Sequence, residues 1–265
     1  MATDAVPALQ SPWRIHRHTT AAGELAVYTT DVPQSDERPL LLVVHGALRR
    51  AEVLMGAVPW WPAPFDIVFV DLPGHGRSSP LVPATVDRFA QRLGVAMAAL
   101  FPQRRLFVLG ESLGGLVALA MAGLQETDRV HGVIAADPPL TTAKLWHVAH
   151  AVRTALARAP HSAFMQSFAA DIFGIATTEG TAERIYYPVL DRLRVPALIL
   201  TGDIPLLPPR QTTSVPCVMD EVDRFVIERL YRGQVTVKTL HRSGHLVLFD
   251  AVSDCRQLIE DFVMA

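Results

Sequence analysis

Five short apolar runs, each followed by polar, glycine- or proline-bearing residues and most then by a helical pattern, constrain this chain more than any other feature. Leu40-Leu41-Leu42-Val43-Val44, Ile67-Val68-Phe69-Val70, Leu106-Phe107-Val108-Leu109, Val130 to Ala136 and Ala197-Leu198-Ile199-Leu200 carry little of the in-out alternation of a half-exposed strand, and Val235 to Leu240 reads as a further strand after them. Strands without that alternation are buried on both faces, and strands that alternate with helices imply a parallel sheet covered on both sides. Helical stretches are expected at Glu52 to Pro59, Thr85 to Leu100, Leu116 onward, Met219 to Tyr231 and Leu246 to Val263. Trp13 to Thr19 and Glu24 to Thr30 do alternate, and read as two half-exposed antiparallel strands about Gly23. With 265 residues, half of them hydrophobic, the chain can bury one large core.

The alternation stops between Leu140 and Leu193. Three helix-like pieces stand there instead, Thr142 to Ala159, Ser162 to Phe173 and Thr181 to Leu190, divided by Pro160 and by Gly174 to Gly180. A helical block inserted into a βαβ series usually covers the ligand-binding end of the sheet, so residues 140–193 read as a lid and 1–139 with 194–265 as the core.

The chemistry is expected at Gly110-Glu111-Ser112-Leu113-Gly114, a G-x-S-x-G between an apolar strand and an apolar helix. A turn that tight strains the serine backbone, leaves no room for side chains two residues away, and sets the hydroxyl at a helix N-terminus. Taken alone, the five residues equally describe a glycine-rich helix start capped by an ordinary serine.

The totals exclude several classes. A net charge of −2 and a pI near 6.5 give no footprint for nucleic acid or anionic membrane, and Arg49-Arg50 and Arg104-Arg105 read as solvated loop ends. No apolar segment reaches the 18 or so residues of a membrane span, and the first residues lack a secretory pattern. Cys217 and Cys255 read as two reduced thiols, which fits a soluble cytoplasmic protein, monomer or homodimer. His147 and His150 share a helical face but no acidic or cysteine ligand follows at a metal spacing, so no metal is expected. His16-Arg17-His18 reads as strand surface. Trp60-Trp61, Phe164, Phe168 and Phe173 are candidates for an apolar pocket, though aromatic residues at helical spacing more often simply pack.

A strand ending in His45-Gly46, the loop Asp71-Leu72-Pro73-Gly74-His75-Gly76-Arg77-Ser78 after the next strand, G-x-S-x-G after a third, a helical insertion and Gly244-His245 after the last strand together resemble the α/β-hydrolase superfamily over residues 13 to 263. The resemblance implies an α/β fold with a mostly parallel eight-stranded sheet, helices on both faces and a helical lid. It further implies Ser112 as nucleophile, His245 as base, and the backbone amides of Ala47 and Leu113 as oxyanion hole, with no cofactor and a small-molecule substrate. His75 would be structural, shaping its loop. The acid is open. Much of the superfamily places it three residues after the glycine that ends the penultimate strand, which here is Pro205; Asp203 lies near that slot. Other relatives, haloalkane dehalogenases among them, place it after the strand that follows the nucleophile helix, which here is Asp137.

The expected activity is hydrolysis of an ester, thioester, lactone or amide of a small to medium hydrophobic substrate through an acyl-enzyme. Two alternatives stand beside it. One is non-hydrolytic chemistry on the same site, such as carbon–carbon cleavage, a lyase or a perhydrolase; the other is a ligand-binding receptor with a slow triad.

Overall fold

A computed structural model of the chain describes residues 13–30, 38–57, 64–124, 129–175, 182–206 and 215–265. Eight strands form one sheet: β1 (Arg14–Thr20), β2 (Gly23–Thr29), β3 (Leu40–Val44), β4 (Asp66–Val70), β5 (Leu106–Glu111), β6 (Val130–Ala136), β7 (Ala197–Gly202) and β8 (Val235–Leu240). Their order is β1-β2-β4-β3-β5-β6-β7-β8. β1 pairs antiparallel with β2, and β2 with β4; from β4 onward every pairing is parallel.

The apolar runs are buried because successive side chains feed two different cores. Leu40, Leu42, Val44, Val108, Val133 and Ile199 enter one cluster, packed with α2 (Val86–Leu100) and α3 (Leu113–Gly123). Leu41, Val43, Leu109, Ile134 and Leu200 enter the other, packed with α1 (Ala51–Ala57) and with Cys255, Ile259 and Val263 near the C-terminus. A strand with an apolar layer on each face has no polar side to show, which is why its sequence shows no alternation. Cys217 and Cys255 are both buried and unpaired. Among the described residues no helix is long and apolar enough to cross a membrane.

Between β6 and β7 lie α4 (Trp146–Arg158), α5 (Ala163–Ser167), which runs directly into a π-helical turn over Phe168–Ile172, and α6 (Pro188–Asp191). Two expected boundaries fail here. The first helix starts at Trp146 rather than Thr142, because Thr142 takes an extended partner: its N–H donates to Arg184 O (2.9 Å), and its hydroxyl accepts from Arg184 N (2.7 Å). The same pairing, with the Thr141–Ile185 bridge, removes residues 184–185 from the helix expected over 181–190. Pro188 then opens α6 at its first turn, where a missing N–H is harmless. The final helix is also two, α7 (Glu221–Leu230) being followed after β8 by α8 (Val247–Asp250) and α9 (Val252–Met264), parted at Ala251 (φ −126°, ψ 55°).

The two arginine pairs are not simply solvated. Arg104 is buried, donating to Asp66 (2.6 Å) and to Arg38 O (2.8 Å), and so fastens the start of β4 to the loop before β5. Arg49 reaches inward to the buried Glu111.

Candidate active site

Ser112 is the residue between β5 and α3. Its backbone sits at φ 54°, ψ −116°, a region that costs a non-glycine residue roughly 1–3 kcal/mol. The flanking glycines explain how the turn closes. A Cβ at Gly110 would stand 1.9 Å from Gly114 O, and one at Gly114 would stand 2.3 Å from Val44 O. Neither contact is sterically possible, so no other residue fits without opening the turn. Ser112 N donates to Ala136 O (2.8 Å), which ties the elbow to the end of β6.

Asp137 follows that same Ala136. Its N–H continues the ladder to Leu200 O at 2.7 Å; its backbone then turns left-handed (φ 44°) and directs the fully buried carboxylate across the ends of β6 and β7. That carboxylate accepts from Thr201 Oγ1 (2.8 Å), Val218 N (2.8 Å), Met219 N (3.2 Å) and His245 Nδ1 (2.7 Å). Four donors converge on one anion, which is how a charge is held without water.

His245 lies in the loop between β8 and α8 and is nearly buried. Its N–H donates to Val215 O (2.8 Å), and the preceding Gly244 N donates to Asp250 Oδ2 (2.8 Å). The left-handed bend of this loop falls at Arg242 (φ 55°), two residues before Gly244.

Asp203 does a different job. One oxygen of its carboxylate faces His241 Nδ1 (2.9 Å), and the other accepts from Ser243 N (3.3 Å); the His241 ring is 94% exposed. Asp203 therefore fastens the loop leading to His245 and does not touch the His245 ring.

Ala47, expected with Leu113 to supply the oxyanion amides, lies just after the His45-Gly46 that follows β3, and Leu113 opens α3. Gly46 presses against the serine, since a Cβ there would stand 3.3 Å from Ser112 Cβ. Two buried histidines frame this loop. His45 donates from Nδ1 to Gly46 O (2.7 Å) and accepts Leu72 N at Nε2 (3.0 Å). His75 donates from Nδ1 to Pro73 O (3.0 Å) and accepts Leu48 N at Nε2 (3.2 Å). Each thus spends both ring nitrogens on backbone in a neutral form, and neither is available as a base. Burial, with the neighbouring His75, drives the His45 pKa down to about 3, and burial lowers that of His75 too.

The stability consequence has a definite sign. An unfolded histidine takes a proton near pH 6.5. Folded His45 refuses it until about pH 3, so the unfolded state binds more protons as pH falls through that window and stability is lost. By pH 5 the loss from His45 alone is expected to be about 2 kcal/mol. Urea unfolding between pH 7.5 and pH 5 checks it, and a midpoint that stays level would contradict the neutral assignment.

Sequence reasoning missed Glu111, Thr201, Val218 and Met219. The last two act through backbone N–H and carry no side-chain signal. His150 is exposed, and among the described residues no group of three His, Cys, Asp or Glu is arranged for a metal ion. Phe168 and Phe173 are buried packing; Phe164 both stacks on Phe168 (5.5 Å between centroids) and lines a cleft. Trp60 and Trp61 lie outside the described residues.

The family model described as the alpha/beta hydrolase family matches residues 41–257. The chain belongs to that family. Among curated alpha/beta hydrolase relatives, the pimeloyl-[acyl-carrier protein] methyl ester esterase of Edwardsiella ictaluri is 41% identical over 108 residues, covering 40% of this chain and 40% of that protein. The 2-succinyl-6-hydroxy-2,4-cyclohexadiene-1-carboxylate synthase of Serratia proteamaculans is 31% identical over 101 residues, covering 37% of this chain and 38% of that protein. The aligned part thus spans well under half the length of these relatives. The carboxylesterase CesB of Bacillus subtilis superposes with a TM-score of 0.68 at 16% identity, over 95% of this chain and 91% of that one, which is agreement in fold.

Proposed function

We propose that this alpha/beta hydrolase is a serine esterase, with Ser112 as nucleophile, His245 as base and Asp137 as the acid that orients it. The observation that carries the reading is the Asp137–His245 contact of 2.7 Å, set one residue beyond the Ala136 carbonyl to which the Ser112 elbow is hydrogen-bonded. With Nδ1–H donated to Asp137, Nε2 bears the lone pair. That nitrogen takes the Ser112 proton as Oγ attacks the ester carbonyl. The amides of Ala47 and Leu113 receive the charge on the tetrahedral oxygen. Collapse breaks the ester C–O bond, and His245 hands the proton to the departing alcohol. Water, activated by the same imidazole, then releases the acid and restores Ser112.

We assign residues 140–193 as a lid over a core of 1–139 and 194–265. Supporting this, Ala151, Thr154, Ala155 and Phe164 of the insertion line a cleft of about 830 Å³ together with Leu48, one residue beyond Ala47, and with Gly74 and His75. Its walls are largely apolar, while among the described residues its ionisable groups, Arg49, Arg50, His75, His150 and Arg158, include no acid. An ester with an apolar chain and an anionic far end suits such a cleft.

The test is labelling by a fluorophosphonate together with turnover of aryl esters whose acyl chains end in methyl or in carboxylate. Expected are stoichiometric labelling at Ser112, multiple turnover, and a lower KM for the carboxylate-ended chain that rises with salt. The partial likeness to a synthase favours one second reading, non-hydrolytic use of the same serine. Labelling without turnover of any ester would select it over the esterase.

A further inference from the structure

We propose that Glu111, with Arg49, is a positioning residue that holds the Ala47 amide where the oxyanion forms; the inference rests on the esterase reading above. Glu111 immediately precedes the nucleophile and is 1% exposed. Both its carboxylate oxygens accept from Arg49 Nη1, at 2.9 and 3.3 Å, and the same carboxylate packs against Gly46, where a Cβ would stand 3.6 Å from Glu111 Oε2. Gly46 and Arg49 bracket Ala47. One buried anion on β5 therefore holds the oxyanion loop through Arg49 on one side of its donor and packs against Gly46 on the other.

Other contacts finish the clamp. Gly46 O is held by His45 Nδ1 (2.7 Å) and Leu48 N by His75 Nε2 (3.2 Å), while Leu48 itself is left-handed (φ 59°). The Arg49 guanidinium also lies over the Phe249 ring, its carbon 5.5 Å from the ring centroid.

Stability alone gives a poor reason for this charge. Burial pushes the Glu111 carboxyl up, and the Arg49 guanidinium beside it pulls it back down. Replacing such a buried pair by apolar side chains of similar volume is often neutral or stabilising. What an apolar residue could not do is fix the loop by a directional, charge-assisted bond to Arg49. That matters for a donor whose value depends on distance, since a misplacement of about 1 Å costs on the order of a hundredfold in rate.

Glu111→Gln, an isostere that loses the charge and one of the two acceptor oxygens facing Arg49, is expected to lower kcat on a neutral aryl ester by about 10- to 100-fold with KM little changed. Affinity for an alkyl boronic acid, which becomes tetrahedral on Ser112, should fall by the same factor. Arg49→Gln should reproduce both losses, the double variant should be no worse than either single one, and Arg49→Lys should recover most of the rate. A merely structural pair would lower the melting temperature and leave kcat and boronate affinity where they were; that result overturns the proposal. Should Glu111→Gln fail to fold, Arg49→Gln carries the same readouts from a partly exposed position. A wild type inert to esters and fluorophosphonate brings down the esterase reading and this inference together, whereas a reactive wild type with indifferent variants brings down this inference alone.

Discussion

Ser112→Ala is expected to lower kcat on an aryl ester by about six orders of magnitude, and His245→Ala by nearly as much, with KM little altered in either. The two losses should not add. Once the hydroxyl is gone the imidazole has no proton to take, and once the imidazole is gone a neutral hydroxyl is too weak to attack, so the double variant should sit close to the singles. What survives, about 10³- to 10⁴-fold over water, would come from amides and cleft that neither substitution touches. Stopped assays at high enzyme concentration measure these rates. The backbone adds a second readout. Because Ser112 holds φ 54°, Ser112→Gly should unfold at a higher temperature than Ser112→Ala, by the equivalent of about 1 kcal/mol, while being equally inactive. Retained turnover in Ser112→Ala would remove the nucleophile from this site altogether.

Much of this arrangement is legible in the sequence because its signals are local. Leu40 to Val44 and Val130 to Ala136 stand out as strands since both their faces are buried, and glycines at 110 and 114 stand out since backbone passes within van der Waals contact of them. Ser112 and His245 are singled out as candidates by their place after a strand. What stays hidden is set by partners distant along the chain. The Val218 and Met219 amides that hold Asp137 lie 81 and 82 residues further on, and any residue but proline at those positions would supply an N–H. Arg49 resembles a solvated loop end until its carboxylate, 62 residues away, is folded beneath it. The start of α4 is misplaced for the same reason, because Thr142 is claimed by Arg184, 42 residues on. Residues 142–145 have a helical pattern, and a tertiary hydrogen bond overrides it.

Asp137→Asn is expected to lower kcat by about four orders of magnitude, whereas Asp203→Asn should change it by no more than about twofold, the scale of an exposed substitution. Both aspartates stand just past a strand end, so position alone does not divide them. Surroundings do. The Asp137 carboxylate is fully buried and bonded to His245 Nδ1, and Thr201 Oγ1 and two amides fix its orientation. An asparagine there keeps the volume but can turn its NH₂ toward the imidazole, favouring the tautomer with Nδ1 unprotonated and Nε2 carrying the hydrogen. Such a ring cannot accept the serine proton. It also leaves the imidazolium formed during attack without a counter-charge, so the loss should appear in kcat and in the rate of fluorophosphonate labelling alike. Raising the pH should restore part of the rate, as hydroxide substitutes for the missing base. Asp203, by contrast, grips an exposed ring and the Ser243 amide, and asparagine can keep accepting from that amide. The departure at Pro205 then has a simple physical meaning: a proline has no carboxylate to offer, and the imidazole is reached instead from β6, the strand next to the elbow. If Asp203→Asn silenced the enzyme while Asp137→Asn left it active, the Pro-rich loop would have to rearrange to bring Asp203 to His245, and the 2.7 Å contact of Asp137 would be structural only.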